Sequence, residues 1–530
     1  MHFTAHDELQ LLGLLAAAGV LLVLSAVVRI PYPILFVLGG LGLGFVPGLP
    51  DLRLPPDLVL IAFLPPLLYS AAFFTSLRDL RANIRPISLL AVGLVAATTV
   101  GVAAVAHAVI DGLPWAAAFT LGAIVSPTDP IAATSIAARL GVPRRIVTII
   151  EGESLVNDAT GLVLYRFAVA AVVSGTFSLW HAGYRLVLNA IVGVAIGLAV
   201  GYVVRRVRRR LDNAPVEITI AVLTGYLAYL PAEALGVSAV LAAVTAGIYV
   251  GWHTPELTTV QTRLQGGAFW EILTFLLNSI LFVLVGLQLP HVVDGLAGTS
   301  TSALIGDAAV VCAAVIVIRI AWVFPLTYLP RLLFRRVRER DPSPPWQAPA
   351  LIAWTGMRGA VSLAAALAVP LSTNAGVPFP ARDLIVFLTF AVIFATLVLQ
   401  GLSLPLVIRG LGLEDDGIAE REEAKARIKA ADAALARLED LVAEEWVRED
   451  TAERLRGLYQ FRRDRFAARF DDGDDGGIEE RSTAYQRLRR ELLEAERAAV
   501  VRLRNEGYIN DDVMRRVQRD LDLEVSRLDV

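Results

Sequence analysis

Three polar stretches interrupt otherwise apolar sequence: Ser126-Pro127-Thr128-Asp129-Pro130, then Glu151-Gly152-Glu153-Ser154-Leu155-Val156-Asn157-Asp158, and, in the second half of the chain, Trp354-Thr355-Gly356-Met357-Arg358-Gly359. Ionisable groups at membrane depth are costly, and their default reading is an ion or proton pathway. A carboxylate such as Asp158 can hold a proton or a small cation, since desolvation favours the neutral acid and a bound cation favours the anion. One group can thus alternate between two mutually exclusive ligands, the minimal chemistry of exchange. Ser154 and Asn157 add neutral oxygens of the kind hard cations prefer. Ser154 and Asp158 are four apart, so a helix sets them on one face. The bland reading of the same residues is a polar contact between helices with no ligand.

Asp129 stands between Thr128 and Pro130, with Pro127 just before. Two prolines this close remove backbone donors and disfavour continuous helix. Irregular backbone at membrane depth is tolerated only where it is buried in protein or lines water. Asp129 is expected to balance the positive end of the half-helix that follows, rather than to bind the ion directly. Arg358, between Gly356 and Gly359, needs an acidic partner, because an unpaired buried guanidinium is expensive. Glu153 is the first candidate and Glu151 the second. Arg319, flanked by Ile318 and Ile320, is expected to pair with a carboxylate or to reach a helix end.

These residues need helices to carry them. The chain has 530 residues, 55% of them hydrophobic and 19% charged. Apolar runs of about 20 residues recur, each enough to cross a bilayer. The composition is that of an all-α polytopic membrane protein. Thirteen spans are read near 9–28, 33–49, 57–76, 86–110, 114–138, 146–174, 184–204, 215–233, 236–251, 268–289, 303–330, 347–370 and 383–408. Met1–Gln10 holds Asp7 and Glu8 and no Lys or Arg, so the first span is expected to be retained, not cleaved as a leader. Arginines gather at alternate connections, in the loops around Arg78, Arg144, Arg205–Arg210, Arg263, Arg331–Arg340 and Arg409, against only Arg53, Arg185 and Arg382 on the other side. By the positive-inside rule the N-terminus lies outside and the C-terminus in the cytoplasm. A transmembrane domain over 1–410 is followed by a charged, helix-favouring cytoplasmic tail over 411–530, with Leu435, Leu438, Val442 and Trp446 at helical spacing and a loop at Asp471–Gly477. The tail reads equally as a regulator and as an assembly or stability element.

Cys312 is the only cysteine, so no intrachain disulfide forms, and no Cys/His metal cluster, Walker loop or G-x-S-x-G elbow appears. No cofactor and no nucleic-acid partner are expected. Leu64-Pro65-Pro66 opens a proline-bent span in which Tyr69 and Ser70 are polar and uncharged.

At these residues the chain resembles the cation:proton antiporter-1 family, in its bacterial sodium/proton exchanger branch. The resemblance covers about residues 10–410 and rests on three motifs in order: Thr128-Asp129-Pro130, Glu153-Ser154 with Asn157-Asp158, and Gly356-Met357-Arg358-Gly359. It implies thirteen helices in two inverted repeats with two broken crossing helices, a mobile core bundle working against a dimerisation bundle, and a homodimer in a bacterial plasma membrane. It implies that Asp158 binds both cation and proton, that Thr128 and Ser154 help coordinate the transported monovalent cation, and that Glu153 pairs with Arg358. Asn157 stands where electrogenic relatives carry a second aspartate, which implies electroneutral exchange of Na⁺, or of K⁺ or Li⁺, for H⁺. Ser70 departs from the pattern, since many members carry an acid there. Two other classes of function fit parts of the sequence. An intramembrane aspartyl hydrolase would use Asp129 and Asp158 as a proton-sharing pair, and a passive cation channel would show flux independent of protons. Neither needs the paired breaks with their opposite charges.

Overall fold

The computed structural model describes residues 19–20, 23–24, 31–45, 56–174, 179–288, 296, 300–413, 415–468 and 476–526. Among them the regular structure is helical, apart from one isolated bridge between Ser372 and Pro378. The expected first span, 9–28, lies almost wholly outside the described residues. The chain divides into two compact units, Met1–Asp415 and Asp416–Val530.

The first unit begins with α1 (Tyr32–Gly44), α2 (Pro56–Phe74), α3 (Leu77–Ala82) and α4 (Ile84–Val109). The expected span over 114–138 is two half-helices, α5 (Trp115–Val125) and α6 (Ile131–Arg139). Pro127 and Pro130 have no N–H to give, and the chain between the halves is irregular. After α7 (Arg144–Ser174) come α8 (Leu179–Arg208), α9 (Ala214–Ala234), α10 (Ala239–Leu257), α11 (Val260–Leu287), α12 (Thr301–Leu333) and α13 (Arg335–Arg340). The expected span over 347–370 is likewise split, into α14 (Gln347–Trp354) and α15 (Ala360–Leu367), and α16 (Arg382–Leu411) closes the unit. Seven of these helices, α4, α7, α8, α9, α11, α12 and α16, are long and apolar enough to cross a membrane. Stretches of α4 (Leu89–Leu94) and α16 (Thr396–Gln400) are wound as π-helix.

Packing sorts the unit into two bundles. In one, α11 lies along α1, and α10 packs between α8, α9 and α2. The α1–α11 approach is close because Gly40 and Gly286 face each other's helices: a Cβ on Gly286 would stand 2.5 Å from the amide nitrogen of Leu41. The other bundle joins α4, α5, α7, α12, α14, α15 and α16. Its apolar core is built from residues such as Val102, Leu121, Ile124, Val315, Ile385 and Leu388. A further cluster, in which Leu155, Ala159 and Leu162 of α7 meet Leu64, Leu68, Tyr229 and Val240, lies where the two bundles touch.

The second unit contains α17 (Ile418–Val442), α18 (Glu449–Ala468), α19 (Gly476–Asn505) and α20 (Asp511–Ser526). Ala424, Ala431, Ala452 and Phe466 are buried in it, and Arg456 donates to Glu439 at 2.9 Å between α17 and α18. The apolar spacing read in the sequence is only partly buried: Leu435 and Leu438 are half-buried, whereas Val442 ends α17 exposed and Trp446 follows it, 72% exposed. Of the expected loop at Asp471–Gly477, residues 471–475 lie outside the described residues, and Gly476 and Gly477 open α19.

Candidate functional site

The two broken helices meet at their breaks. The Asp129 N–H donates to Met357 O at 2.8 Å, joining the α5–α6 break to the α14–α15 break through backbone. Four half-helix ends therefore converge, two with unsatisfied N–H groups and partial positive charge, two with unsatisfied C=O groups and partial negative charge. The side chains answer each end with opposite charge. Asp129 Oδ1 accepts from Ile131 N, the first residue of α6, at 2.9 Å. Its carboxylate also lies against Gly359 at the start of α15, so closely that a Cβ there would collide with it. At the other ends, Arg358 Nε donates to Val125 O, the last residue of α5, at 3.0 Å, and its Nη1 donates to Gly356 O. Arg319 Nε and Nη2 donate to Ile352 O near the end of α14, at 3.2 and 3.0 Å. The expected helix-end role of Asp129 matches this geometry, and Pro127, Pro130, Gly356 and Gly359 all lie in the breaks.

The expected pairing of Glu153 with Arg358 is not what forms. Glu153 is buried on α7, and its two oxygens take Arg319 Nη1 at 2.5 Å and Arg319 Nη2 at 2.8 Å. Oε1 also accepts from Thr128 Oγ1 at 3.0 Å. The physical reason is that Arg358 sits inside a break, where carbonyls freed from helical bonding are at hand. Arg319 emerges from the side of an unbroken helix and needs a carboxylate. The Arg358 N–H is held separately by Thr396 Oγ1, at 3.1 Å, from the π-wound stretch of α16.

Thr128 and Asn157 form a second bridge to the break. Asn157 Nδ2 donates to Thr128 Oγ1 at 2.8 Å and to Thr128 O at 3.2 Å. Asn157 is fully buried, its Oδ1 has no partner among the described residues, and it does not line the cavity described below. It braces the broken segment, and the expected contribution of a ligand oxygen from Asn157 is not what its position offers.

Asp158 differs from all of these. Its carboxylate makes no hydrogen bond or ion pair with another described residue, and it faces a cavity of about 550 Å³ between the two bundles. Ser154, Thr128 and Asp129 line the same space, together with Ser70 and Asn278 from the opposite bundle. Ser70, in the place of the acid common in relatives, donates to Leu67 O at 3.0 Å within its own helix. The cavity runs from Asp158 past Glu151 of α7 towards Glu271 of α11 and towards Phe74 and Thr75, where α2 finishes. The arrangement can do one thing well: offer a cation or proton an uncommitted carboxylate beside neutral oxygens, while Asp129, Glu153, Arg319 and Arg358 at the breaks are each held by protein groups. The sequence reading missed Asn278, which is buried on α11 and lines the cavity opposite Asp158. Its signal was an amide in the middle of the apolar span read over 268–289. Also missed was the buried trio of Arg208, Glu217 and Thr262, in which Glu217 accepts from Arg208 at 3.3 Å and from Thr262 at 3.2 Å.

Comparison with known proteins gives this site a family. Residues 13–410 match the transmembrane sodium/hydrogen exchanger family. The chain belongs to that family. A Mycobacterium tuberculosis protein, described as an uncharacterized Na⁺/H⁺ exchanger, is 38% identical over 98% of this chain and 95% of its own length. The sodium, potassium, lithium and rubidium/H⁺ antiporter of Bacillus subtilis is 35% identical over 71% of this chain and 58% of its own. Among solved structures, the sodium proton antiporter MjNhaP1 from Methanocaldococcus jannaschii superposes with a TM-score of 0.55 at 19% identity, over 76% of this chain and 99% of that one, a likeness of fold. This sodium/hydrogen exchanger family member is a multi-pass membrane transporter of the antiport class, not an enzyme.

Proposed function

We propose that this exchanger carries Na⁺, and in second place K⁺ or Li⁺, across the bacterial plasma membrane against H⁺, one for one, with Asp158 as the single site that both ions occupy in turn. The observation that carries the reading is the contrast between Asp158, which has no hydrogen-bond or ion-pair partner among the described residues and faces a cavity, and the engaged charges of Glu153, Arg319 and Asp129 near it. Ser154 Oγ and the Thr128 region stand beside Asp158 as neutral oxygens for a dehydrated monovalent cation. Loaded with a proton or a cation, the Asp158 site is neutral and can cross an apolar barrier. Empty, it is a bare carboxylate and crosses poorly. That difference couples the two fluxes. Asn157 adds no second carboxylate, which supports electroneutral exchange. No cofactor is needed.

In the same reading the chain has thirteen spans in two inverted repeats, including 9–28, with the N-terminus outside and the C-terminus in the cytoplasm. The broken-helix bundle moves against the other bundle, which joins a second copy in a homodimer within membrane lipid. The cavity then faces the cytoplasm, since it reaches Phe74 and Thr75 at the end of α2, just before the connection that holds Arg78, Arg81 and Arg85. The exchanger serves cytoplasmic pH and sodium homeostasis, and the tail over 411–530 is a cytoplasmic helical domain. The hydrolase reading is not favoured, because Asp129 is committed to two helix N-termini and is not free to share a proton.

Proteoliposomes with an internal pH dye test the proposal. Added Na⁺, K⁺ or Li⁺ should move protons in the wild type, without a voltage requirement. Folded wild-type protein that gives no cation-dependent proton movement from acid to alkaline pH would overturn it.

A further inference from the structure

The helix that carries Asp158 continues away from the large cavity, and what lies along it differs from what lies behind. Ala159, Leu162 and Val163 follow, then Arg166, two turns beyond Asp158 on the same side of α7. Here the two bundles are in contact. Leu155, Ala159 and Leu162 press on Leu64, Tyr229 and Val240. A small cavity of about 60 Å³ remains within the seam, lined by Ala159, Leu162, Arg166, Tyr229, Glu233 and Ser238. At its rim Arg166 Nη2 donates to both oxygens of Glu233, at 2.6 and 2.9 Å. Arg166 belongs to the bundle with the broken helices, Glu233 to the C-terminal turn of α9 in the other bundle. The pair therefore straddles the seam that must part if Asp158 is to reach the second side.

We propose that Arg166–Glu233 is the outer latch of this exchanger, and that the 60 Å³ cavity behind it is the closed form of the second ion pathway. The inference rests on the alternating-access reading above and deepens it by naming the contact that must break. The latch is suited to the task because it is weak. Both side chains are close to half exposed, at 46% and 39%, and exposed pairs of this kind hold by a fraction of a kcal/mol. Arg166 and Glu233 are thus positioning residues. They touch neither ion at Asp158, and they set how much of the time the seam is shut.

The test reads the seam and not the transport. Cys312 is the only cysteine, so a Cys312→Ala background with Leu162→Cys puts one thiol behind the latch. A membrane-impermeant maleimide is applied from the Arg166 side of sealed vesicles, and its rate of reaction is followed by mass shift. In this background Glu233→Gln should raise the labelling rate roughly two- to fivefold, the population shift that loss of an exposed ion pair permits. Arg166→Gln should do the same, and Arg166→Glu with Glu233→Arg should bring the rate back. A tie that merely stabilises the fold would lower the melting temperature without changing labelling from that side. Unchanged labelling in both single variants, in protein whose cation-driven proton flux is intact, would overturn the latch. Raised labelling in protein that shows no cation–proton exchange would leave the latch standing and count against the antiport reading alone.

Discussion

Glu153 and Asp158 sit little more than one turn apart on the same helix, are the same kind of acid and are both buried, yet they live in opposite surroundings. Glu153 has three donors on two oxygens, two from Arg319 and one from Thr128. Asp158 has none among the described residues and looks into a cavity. The difference separates a charge that holds the protein together from a charge that is left free to work. A buried carboxylate saturated with donors cannot easily accept anything else, and one without them is stable only if something mobile, a proton or a cation, completes it. On the proposed reading, Glu153 belongs to the scaffold and Asp158 to the cargo.

The sharpest way to break this comparison is Asp158→Asn. The variant should fall to the proton flux of protein-free liposomes in every cation, while its thermal unfolding stays within about 1 kcal/mol of wild type, as expected when no partner is lost. Residual exchange in Asp158→Asn would move the ion site elsewhere.

Glu153→Gln is the converse. It should unfold more easily by about 3–5 kcal/mol, the usual cost of leaving a buried guanidinium without its acid. A double-mutant cycle sharpens the point. Glu153 should couple strongly to Arg319 and only weakly to Arg358, whose donors rest on carbonyls. Equal coupling to both arginines would return Glu153 to the pairing expected from sequence.

That expectation shows where sequence was legible and where it stopped. The breaks were legible because Pro127, Pro130, Gly356 and Gly359 act on their own backbone, so their effect is local. The Asp129 role was legible for the same reason, since it caps a helix that starts two residues on. The partner of Glu153 was not. Arg358 stood in the matching break and looked complementary, whereas Arg319 lay among Val317, Ile318 and Ile320, where sequence reveals the expense of a charge but not the direction it faces. Packing of α12 against the broken bundle decides that, and packing is not local. Asn157 illustrates the same limit, because its type suggested a ligand and its position makes it a brace. The tail helices followed from their charged, helix-favouring composition, but the stripe ending at Trp446 did not become a core.

A smaller effect tests the helix-end half of the comparison. Gly359→Ala would drive a methyl group into the Asp129 carboxylate. Relief requires the two breaks to separate, so a loss of about 1–3 kcal/mol is expected from overpacking, with exchange reduced in step. Gly42→Ala, where nothing stands in the way, is the control and should behave as wild type in both assays.

The smallest effect lies outside the spans and asks whether the scaffold logic of Glu153 extends to the connections. Asp341, between α13 and α14, accepts from Arg145 Nη2 at 2.9 Å and from Arg331 Nη2 at 2.5 Å. Burial pulls its carboxyl up, but the Arg145 hydrogen bond and the charges of Arg145 and Arg331 prevail and hold it below its ordinary value. A carboxylate whose folded value is depressed adds stability above its unfolded value and loses it as pH falls through the folded one. Near neutral pH the wild type should therefore exceed Asp341→Asn by about 1 kcal/mol in thermal unfolding. The gap should close on acidification only below about pH 4, where the unfolded carboxylate protonates first. A gap that closes already between pH 5 and 7 would mean that a different group supplies the stability, and that Asp341 is not a scaffold charge of the Glu153 kind.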